Sequence, residues 1–357
     1  MCAWCINCSM EATKHTPAPQ TLQEAIAYFA DPDRCFEFAK KLRWPDGNVV
    51  CPRCGEAKNS FVKTRRLWFC YACKKQFTIK VKTIMEDSPI TLDKWMAAFW
   101  MLANCRNGIS SHELGRSLGV TQTTAWFMLH RIREVMGGKT KKGKMSGGSG
   151  GSFEVDETFV GPVPKNMHRG RREKMMRQMR DERGTEYGRF SSKVAVQGIF
   201  NRNLRQVRAK VMPNVKREAL QEEVFRNIPF GSTIYTDNAV AYDKLRVGYV
   251  HDVVNHAERY VDGEIHTNGL ENFWSLLKRT LRGTYVAVEP FHLDHYLDEQ
   301  VFRFNNRKDR TRKISDKERF TRVMSQVFGK RLTYAELTGK DGSPRHETTG
   351  TRTAEPF

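Results

Sequence analysis

Two Cys-x-x-Cys pairs near the start of the chain constrain its folding more than any other feature. Cys51 pairs with Cys54, and Cys70 pairs with Cys73 after a loop of fifteen residues. This spacing is typical of a zinc ribbon, in which four thiolates hold one zinc ion tetrahedrally. Because four protein ligands leave no open coordination position, we expect the zinc to be structural and to stabilise a small β module over residues 46–85.

The remaining cysteines give a weaker signal. Cys2, Cys5 and Cys8 also have close spacing, but they lie in a short terminal segment without an obvious fourth ligand, which favours an adventitious site over a second structural zinc. Cys35 and Cys105 fall in helical patterns and are predicted to be small buried apolar residues. Clustered N-terminal cysteines indicate metal binding rather than disulfides, and no apolar run approaches the ~20 residues that cross a bilayer. These features predict a cytoplasmic protein.

The charge balance points to a polyanionic partner. Lys and Arg number 60 against 40 Asp and Glu, so the chain carries a formal charge of +20. Basicity alone is shared by several protein classes, but 39% of the 357 residues are hydrophobic, which is enough for two or more packed domains. We therefore predict a folded protein that binds double-stranded DNA and is associated with the nucleoid.

Residues 88–137 have the pattern of a helix-turn-helix domain. Helical apolar spacing runs from Asp93 to Cys105, a short helix ends at Leu118, Gly119 makes a turn, and a longer helix follows to about Met136. The second helix of such a motif places its first polar residues at base edges. The predicted DNA contacts are Gln122, Thr123, Thr124 and Arg131. The alternative is an ordinary three-helix packing unit.

Three carboxylates define a predicted metal centre. Asp156 and Asp237 each follow a short apolar run that predicts a buried strand, and Glu271 opens a helix. Carboxylate oxygens suit hard divalent cations, and a pair of such ions can clamp the attacking and leaving oxygens of a phosphoryl displacement. Each aspartate could instead be a turn former or a helix cap. Their joint presence predicts phosphodiester cleavage or strand transfer.

The domain organisation follows from composition and periodicity. A partly helical segment (1–45), the ribbon (46–85) and the helical domain (88–137) precede a flexible basic linker (138–151), a mixed α/β domain (152–310) with a basic insertion (161–190), and a C-terminal extension (311–357) whose end is predicted to be disordered. In the α/β domain, three strands are followed by alternating helices and strands, which predicts a mixed sheet with helices on its faces. We expect the insertion to be an arm that contacts DNA rather than a passive loop.

The motifs in this order resemble those of the zinc-ribbon DDE transposases of bacterial insertion sequences, the ISXO2-like group. The resemblance runs from about Cys51 to Arg307 through CPRCG, LGVTQTTAWFMLHRIR, VDETFVG, YTDN, HTNGLENFWSLLKR and FRFNNR. It implies a ribonuclease H-like catalytic domain in which Asp156, Asp237 and Glu271 bind two Mg²⁺ or Mn²⁺ ions. One departure is Gly161-Pro162, where the family usually has paired glycines, but it removes no ligand.

Basic residues on the Glu271 helix complete the predicted site. Lys278, Arg279 and Arg282 are expected to contact DNA, and Lys278 shares a helix face with Glu271. Trp274 could stack on a base, although an aromatic residue on an apolar helix stripe is more often part of the core.

The sequence therefore predicts a DNA transposase that binds terminal inverted repeats and catalyses metal-dependent cleavage and strand transfer. Joining two DNA ends implies a homodimer or a higher oligomer on DNA. One alternative is a transposase-derived DNA-binding regulator without catalysis, and another is a ribonuclease H-type nuclease. The intact triad disfavours the first, and the two DNA-reading modules disfavour the second.

Overall fold

The computed structural model describes most of the chain. The described residues are 19–137, 143–145, 150–161, 169–170, 172–173, 177, 193–237, 241–242, 245, 248–254, 266–286, 288–307 and 312–340. Most of the predicted basic insertion, most of the linker, the Cys2/Cys5/Cys8 cluster and the end of the C-terminal extension lie outside these residues.

A three-stranded antiparallel sheet lies at the four cysteines: Cys51 and Cys54 precede it, Cys70 ends its second strand, and Cys73 lies in the turn before its third. Its strands are β1 (Asn59–Val62), β2 (Leu67–Cys70) and β3 (Gln76–Phe77), in that spatial order. Trp68 of β2 stacks on Phe77 of β3 and on Phe36 of a preceding helix. The small sheet therefore shares an aromatic core with the helices before it, α1 (Leu22–Phe29) and α2 (Pro32–Arg43).

Three helices follow the ribbon, with bounds close to the predicted ones. They are α3 (Leu92–Asn104), α4 (Ser111–Leu118) and α5 (Gln122–Met136). Ser110 caps α4 in a capping box with Glu113, and Thr121 caps α5. Gly119 ends α4 with φ +60°, a left-handed conformation that glycine adopts without steric cost. Cap residues and a glycine stop thus fix the tight turn between α4 and α5.

The α/β region contains a five-stranded mixed sheet. Its strands are β4 (Ser152–Val160), β5 (Val194–Asn201), β6 (Gln206–Met212), β7 (Thr233–Asp237) and β8 (Val250–Val254). The spatial order is β6-β5-β4-β7-β8. The first three strands are antiparallel neighbours, whereas β7 runs parallel to both β4 and β8. The mixed sheet predicted from the order of elements is confirmed.

Helices cover the two faces of this sheet. On one face, α6 (Arg217–Asn227) contributes to a core with Phe153, Val155 and Ile234. On the other face, α7 (Asn268–Thr280) and α8 (Leu293–Asn305) pack over β5 and β6. A π-helical turn over residues 281–285 continues α7. The strand β4 lies between the two cores, so its side chains reach both helical layers.

The chain returns to its N-terminal half after α8. Helix α9 (Asp316–Met324) places Phe320 and Val323 in the same core as α3 and α5, and a short α10 (Tyr334–Thr338) follows. The region predicted as a C-terminal extension therefore contributes to the core of the ribbon and the three-helix unit. Among the described residues, no helix is both long and apolar enough to cross a membrane.

Candidate active site

Two of the three predicted carboxylates lie side by side on adjacent parallel strands. The register of β4 and β7 pairs Val155 with Thr236, so that Asp156 and Asp237 occupy the next step along the two strands. Oxygen atoms of Asp156, Glu157 and Asp237 all lie within 4.8 Å of one another. The sheet topology thus brings together residues that are 81 positions apart in the sequence (237 minus 156).

Glu157 is the member of this group that sequence reasoning missed. Successive side chains of a strand point to opposite faces, and this alternation argues against two neighbouring residues serving one site. Near the end of β7, however, the Glu157 carboxylate comes within 4.8 Å of the two aspartates. The consecutive acidic pair in VDETF is the only signal in the sequence that could have found it.

The carboxylate of Asp156 is held by two hydrogen bonds. The indole Nε1 of Trp274 donates to Oδ2 at 2.8 Å, and the backbone N–H of Glu157 donates to Oδ1 at 2.8 Å. Burial raises the pKa of Asp156 to about 6, and the negative charges of Asp237 and Glu271 act in the same direction, while the Trp274 hydrogen bond opposes them. The group is therefore fixed in orientation and is costly to ionise.

Glu157 is still harder to ionise. Burial raises the pKa of its carboxyl to about 8, and the charges of Asp156 and Asp237 add to the effect. Its Oε1 is buried without a hydrogen-bond partner among the residues that the structure describes. Clustered carboxylates with raised pKa values favour either bound protons or a bound cation. The donor set of hard oxygen atoms fits Mg²⁺ or Mn²⁺.

Glu271 lies at the rim of this group. It is exposed on the first turn of α7 and is not among the side chains whose oxygens fall within 4.8 Å. Its negative charge nevertheless contributes to the raised pKa of Asp156, which places it near that side chain. The two ions of a two-metal centre lie ~3.5–4 Å apart, so a residue that binds one ion need not touch the residues that bind the other.

Basic side chains border the acidic group. Burial lowers the pKa of the Lys278 ammonium, the cations Arg282 and Lys193 lower it further, and the charge of Asp156 opposes the shift. Arg279 and Arg282 are exposed. Lys278 thus lies near Asp156 with Arg282 close to it, and Lys193 is a further nearby cation that the sequence did not single out.

The predicted DNA-reading residues divide into two groups. Gln122 and Thr123 are exposed at the start of α5, and Thr124 is half-buried next to them. Arg131 is buried instead, and its guanidinium donates to the carbonyl oxygens of Leu332 and Glu86. The prediction that Arg131 contacts DNA does not fit this position, because helical periodicity turns it toward the protein interior.

The four cysteines of the ribbon have the geometry of a structural zinc site. Sγ of Cys51 lies 3.8 Å from Sγ of Cys73, and Sγ of Cys54 lies 3.6 Å from Sγ of Cys70. A tetrahedral ion with Zn–S bonds near 2.3 Å separates its sulfurs by about 3.8 Å. The backbone N–H of Cys73 lowers the pKa of the Cys70 thiol to about 7, whereas desolvation and hydrogen bonds to the other thiols raise that of Cys54 to about 11, so Cys70 is the first of this pair to form the thiolate that binds metal. The spacing prediction and the geometry agree.

Comparison with known families relates both the carboxylate region and the zinc ribbon to transposases. Residues 149–305 match the ISXO2-like transposase domain, and residues 30–76 match the transposase zinc-ribbon domain. The chain therefore carries an ISXO2-like transposase domain preceded by a transposase zinc ribbon. The first match covers the strands of all three clustered carboxylates and α7, and the second covers all four zinc-ribbon cysteines.

A relative supports the same identification. The chain is 24% identical over 294 residues to an uncharacterized protein in transposable element ISH50 of Halobacterium salinarum, covering 78% of this chain and 94% of the relative. The similarity therefore extends over nearly the whole of the relative.

Proposed function

We propose that this transposase binds the terminal inverted repeats of its insertion sequence, cleaves the DNA there and joins the freed end to target DNA. The observation that carries the proposal is the group of three carboxylates whose oxygens lie within 4.8 Å on adjacent parallel strands. Asp156, Asp237 and Glu271 are the proposed catalytic residues, and Glu157 is a further candidate ligand. Two divalent cations held there would stabilise charge on the scissile phosphate and make water or a 3′-hydroxyl a better nucleophile.

The protein's own residues supply orientation and charge. Trp274 and the backbone of Glu157 fix the Asp156 carboxylate, so that its remaining lone pairs face the site. Arg282 and Lys193 lie close enough to Lys278 for their positive charges to lower its pKa. We assign these cations to the DNA backbone beside the scissile phosphate, because lysine and arginine neutralise phosphates without reading sequence.

Helix α5 supplies the proposed sequence recognition. Its first turn is exposed, is preceded by a tight glycine turn, and carries Gln122, Thr123 and Thr124. This is the position from which the second helix of a helix-turn-helix motif contacts the major groove. The α/β region would correspondingly have a ribonuclease H-like fold. Because two DNA ends must be joined, we propose that the active form on DNA is at least a dimer.

A regulator without catalysis is the weaker alternative. A protein that only bound DNA would gain nothing from three clustered carboxylates, and the raised pKa values of Asp156 and Glu157 show that this cluster opposes ionisation. Clusters of side chains with strongly shifted pKa values are typical of active sites, where the shifted groups take part in the chemistry. The acidic group therefore favours the enzyme.

The test is cleavage of DNA ends. Labelled duplexes covering the DNA on both sides of the coding sequence are incubated with the full chain and Mg²⁺, and the products are separated on a denaturing gel. We expect a nick at a discrete position in one duplex from each side. Asp156→Asn and Asp237→Asn should bind the same duplexes but leave them intact, because each loses an anionic metal ligand.

The second part of the test replaces Mg²⁺ with Ca²⁺. Ca²⁺ should support end binding without cleavage, because its looser coordination suits the in-line geometry poorly. Binding by the wild-type protein without cleavage in either Mg²⁺ or Mn²⁺ would favour the regulator. Nicking by both aspartate variants at the wild-type rate would place the chemistry elsewhere.

A further inference from the structure

Two hydrogen bonds connect the strand of the first carboxylate to the helix of the third. Nε1 of Trp274 on α7 donates to Oδ2 of Asp156 on β4 at 2.8 Å. Two residues earlier on β4, Oε2 of Glu154 accepts from the backbone N–H of Leu270 at 3.0 Å. Glu154 and Asp156 share one face of the strand because side chains two apart point the same way. These contacts join β4 to both the beginning and the middle of α7.

The Glu154 contact substitutes for a missing helix cap. No side chain of the preceding residue, Thr267, caps α7, whereas the Glu154 carboxylate reaches the third N–H of the first turn. The same N–H also donates to the carbonyl oxygen of Thr267 at 3.0 Å, so the Glu154 carboxylate is its second acceptor and interacts favourably with the helix dipole as well. Glu154 is 1% exposed, and its other oxygen accepts from Nε of Arg202 at 2.8 Å. The start of α7, which carries Glu271, is therefore anchored to the strand of Asp156.

Two glycines make the close approach of β4, β5 and α7 possible. A Cβ at Gly198, which faces Asp156 across β4 and β5, would lie 2.6 Å from Cζ2 of Trp274. A Cβ at Gly269 would lie 2.4 Å from the ring of Phe200. Glycine inside a strand weakens it and often marks a place where another group must come close. The indole of Trp274 occupies the space that any other residue at position 198 would fill.

We propose that Trp274 is a positioning residue for the metal centre, which orients the Asp156 carboxylate through its indole N–H. This inference rests on the proposed function and adds a role that neither base stacking nor simple core packing would give. Trp274 is 5% exposed, so it presents no face for stacking on DNA. Its N–H has no acceptor capacity and can only donate, which keeps one oxygen of Asp156 turned toward α7.

The expected consequence concerns metal affinity. Hydrogen-bond partners of metal-binding side chains typically change metal affinity or activity by ~10–100-fold when they are removed. Trp274→Phe retains an aromatic ring in the core but removes the donor. Gly198→Ala keeps the tryptophan but forces the indole away from Asp156. Both variants should therefore bind Mn²⁺ about 10- to 100-fold more weakly than the wild-type chain.

The experiment measures Mn²⁺ affinity of the full chain by calorimetry, without DNA, together with the binding of end DNA in Ca²⁺. The matched control is Trp100→Phe, which removes an indole of similar burial from the core formed by α3 and Phe320, away from the carboxylates. We expect the control to retain Mn²⁺ affinity. All variants should keep end binding and zinc content, which shows that they are folded.

A double-mutant cycle separates positioning from general stability. If Trp274 acts through Asp156, Trp274→Phe should weaken Mn²⁺ binding in the wild-type background but have no further effect in Asp156→Ala. An equal loss in both backgrounds would overturn the role of Trp274, as would unchanged affinity in Trp274→Phe while the wild-type chain binds Mn²⁺. A wild-type chain that binds no Mn²⁺ would overturn the proposed function as well, so the two failures are distinguishable.

Discussion

Arg133 of α5 donates through Nε to Oε2 of Glu299 of α8 at 2.6 Å, and both side chains are completely or almost completely buried. Arg303 and Tyr285 donate to the other oxygen of the same carboxylate. Burial alone would raise the pKa of Glu299, but Arg303 and Arg133 hold it below its ordinary value. The helix proposed to read DNA is thus joined through a buried ionic network to a helix of the transposase domain.

The first prediction is that Glu299→Gln destabilises the protein strongly. The substitution leaves two buried guanidinium groups without their carboxylate, and removing one partner from a buried ion pair costs about 3–5 kcal/mol. We expect a loss of this size in the free energy of unfolding, measured with urea. The matched control is Glu222→Gln, which removes an exposed pairing with Arg226. Exposed helix pairs contribute about 0.3–0.5 kcal/mol, so a comparable loss in the two variants would contradict the structural role of Glu299.

The second prediction concerns pH and metal. The folded protein raises the pKa values of Asp156 and Glu157 to about 6 and about 8, so it holds their protons more tightly than the unfolded chain does. In the metal-free protein the protonated carboxyls therefore contribute stability that is fully present below their unfolded pKa values. It is lost as pH rises through those two values. Cations bind the ionised carboxylates, so the increase in Tm on adding Mg²⁺ should be larger at pH ~9 than at pH ~5.

Glu157→Gln provides the comparison for this prediction. The glutamine cannot ionise, so the metal-free variant should lose less stability than the wild-type protein between neutral and alkaline pH. It should also gain less from Mg²⁺ at alkaline pH, since one anionic oxygen donor has been removed. An identical response of the two proteins to pH and Mg²⁺ would exclude Glu157 from the metal centre.

Local patterns predicted the elements well. Cap residues and Gly119 placed α4 and α5 within a residue of their observed bounds, and short apolar runs indicated the strands that carry Asp156 and Asp237. These features succeed because capping, turn conformation and strand periodicity depend on neighbours in the sequence. Asp156 in β4 and Asp237 at the end of β7 were found for the same reason.

Long-range contacts explain what was missed. The approach of Glu157 to Asp237 depends on the pairing of β4 with β7, and the buried position of Arg131 depends on carbonyl oxygens of Glu86 and Leu332. The Trp274 hydrogen bond likewise joins residues 118 positions apart. Sequence periodicity identifies which face of a helix is buried, but it does not identify the partner on the other side.

The third prediction tests the zinc site. Cys70→Ser should reduce bound zinc well below one equivalent per chain, because a closed tetrahedral site needs all four thiolates. Loss of zinc should disorder the three-stranded sheet, whose Trp68 stacks on both Phe77 and Phe36, and should weaken end binding. Cys105→Ser is the control, because Cys105 lies at the end of α3 outside the zinc cluster. Full zinc content in Cys70→Ser would refute the four-thiolate assignment.

The fourth prediction concerns recognition of the DNA ends. Thr123 is exposed on the first turn of α5, whereas neighbouring Gln122 also donates to Ser111 of α4 at 2.8 Å. Thr123→Ala is therefore the cleaner test, since it removes a candidate base contact without breaking that link. A lost base contact typically costs ~1–3 kcal/mol of discrimination against the wrong base. Binding of the end duplex should weaken by that amount, while binding of an unrelated duplex stays unchanged.

Lys141→Ala and Lys142→Ala, at positions outside the described residues, should instead weaken binding to both duplexes and reduce the salt dependence, because phosphate contacts carry no sequence information. If Thr123→Ala also weakened both duplexes equally, the first turn of α5 would not be the surface that reads the terminal repeats.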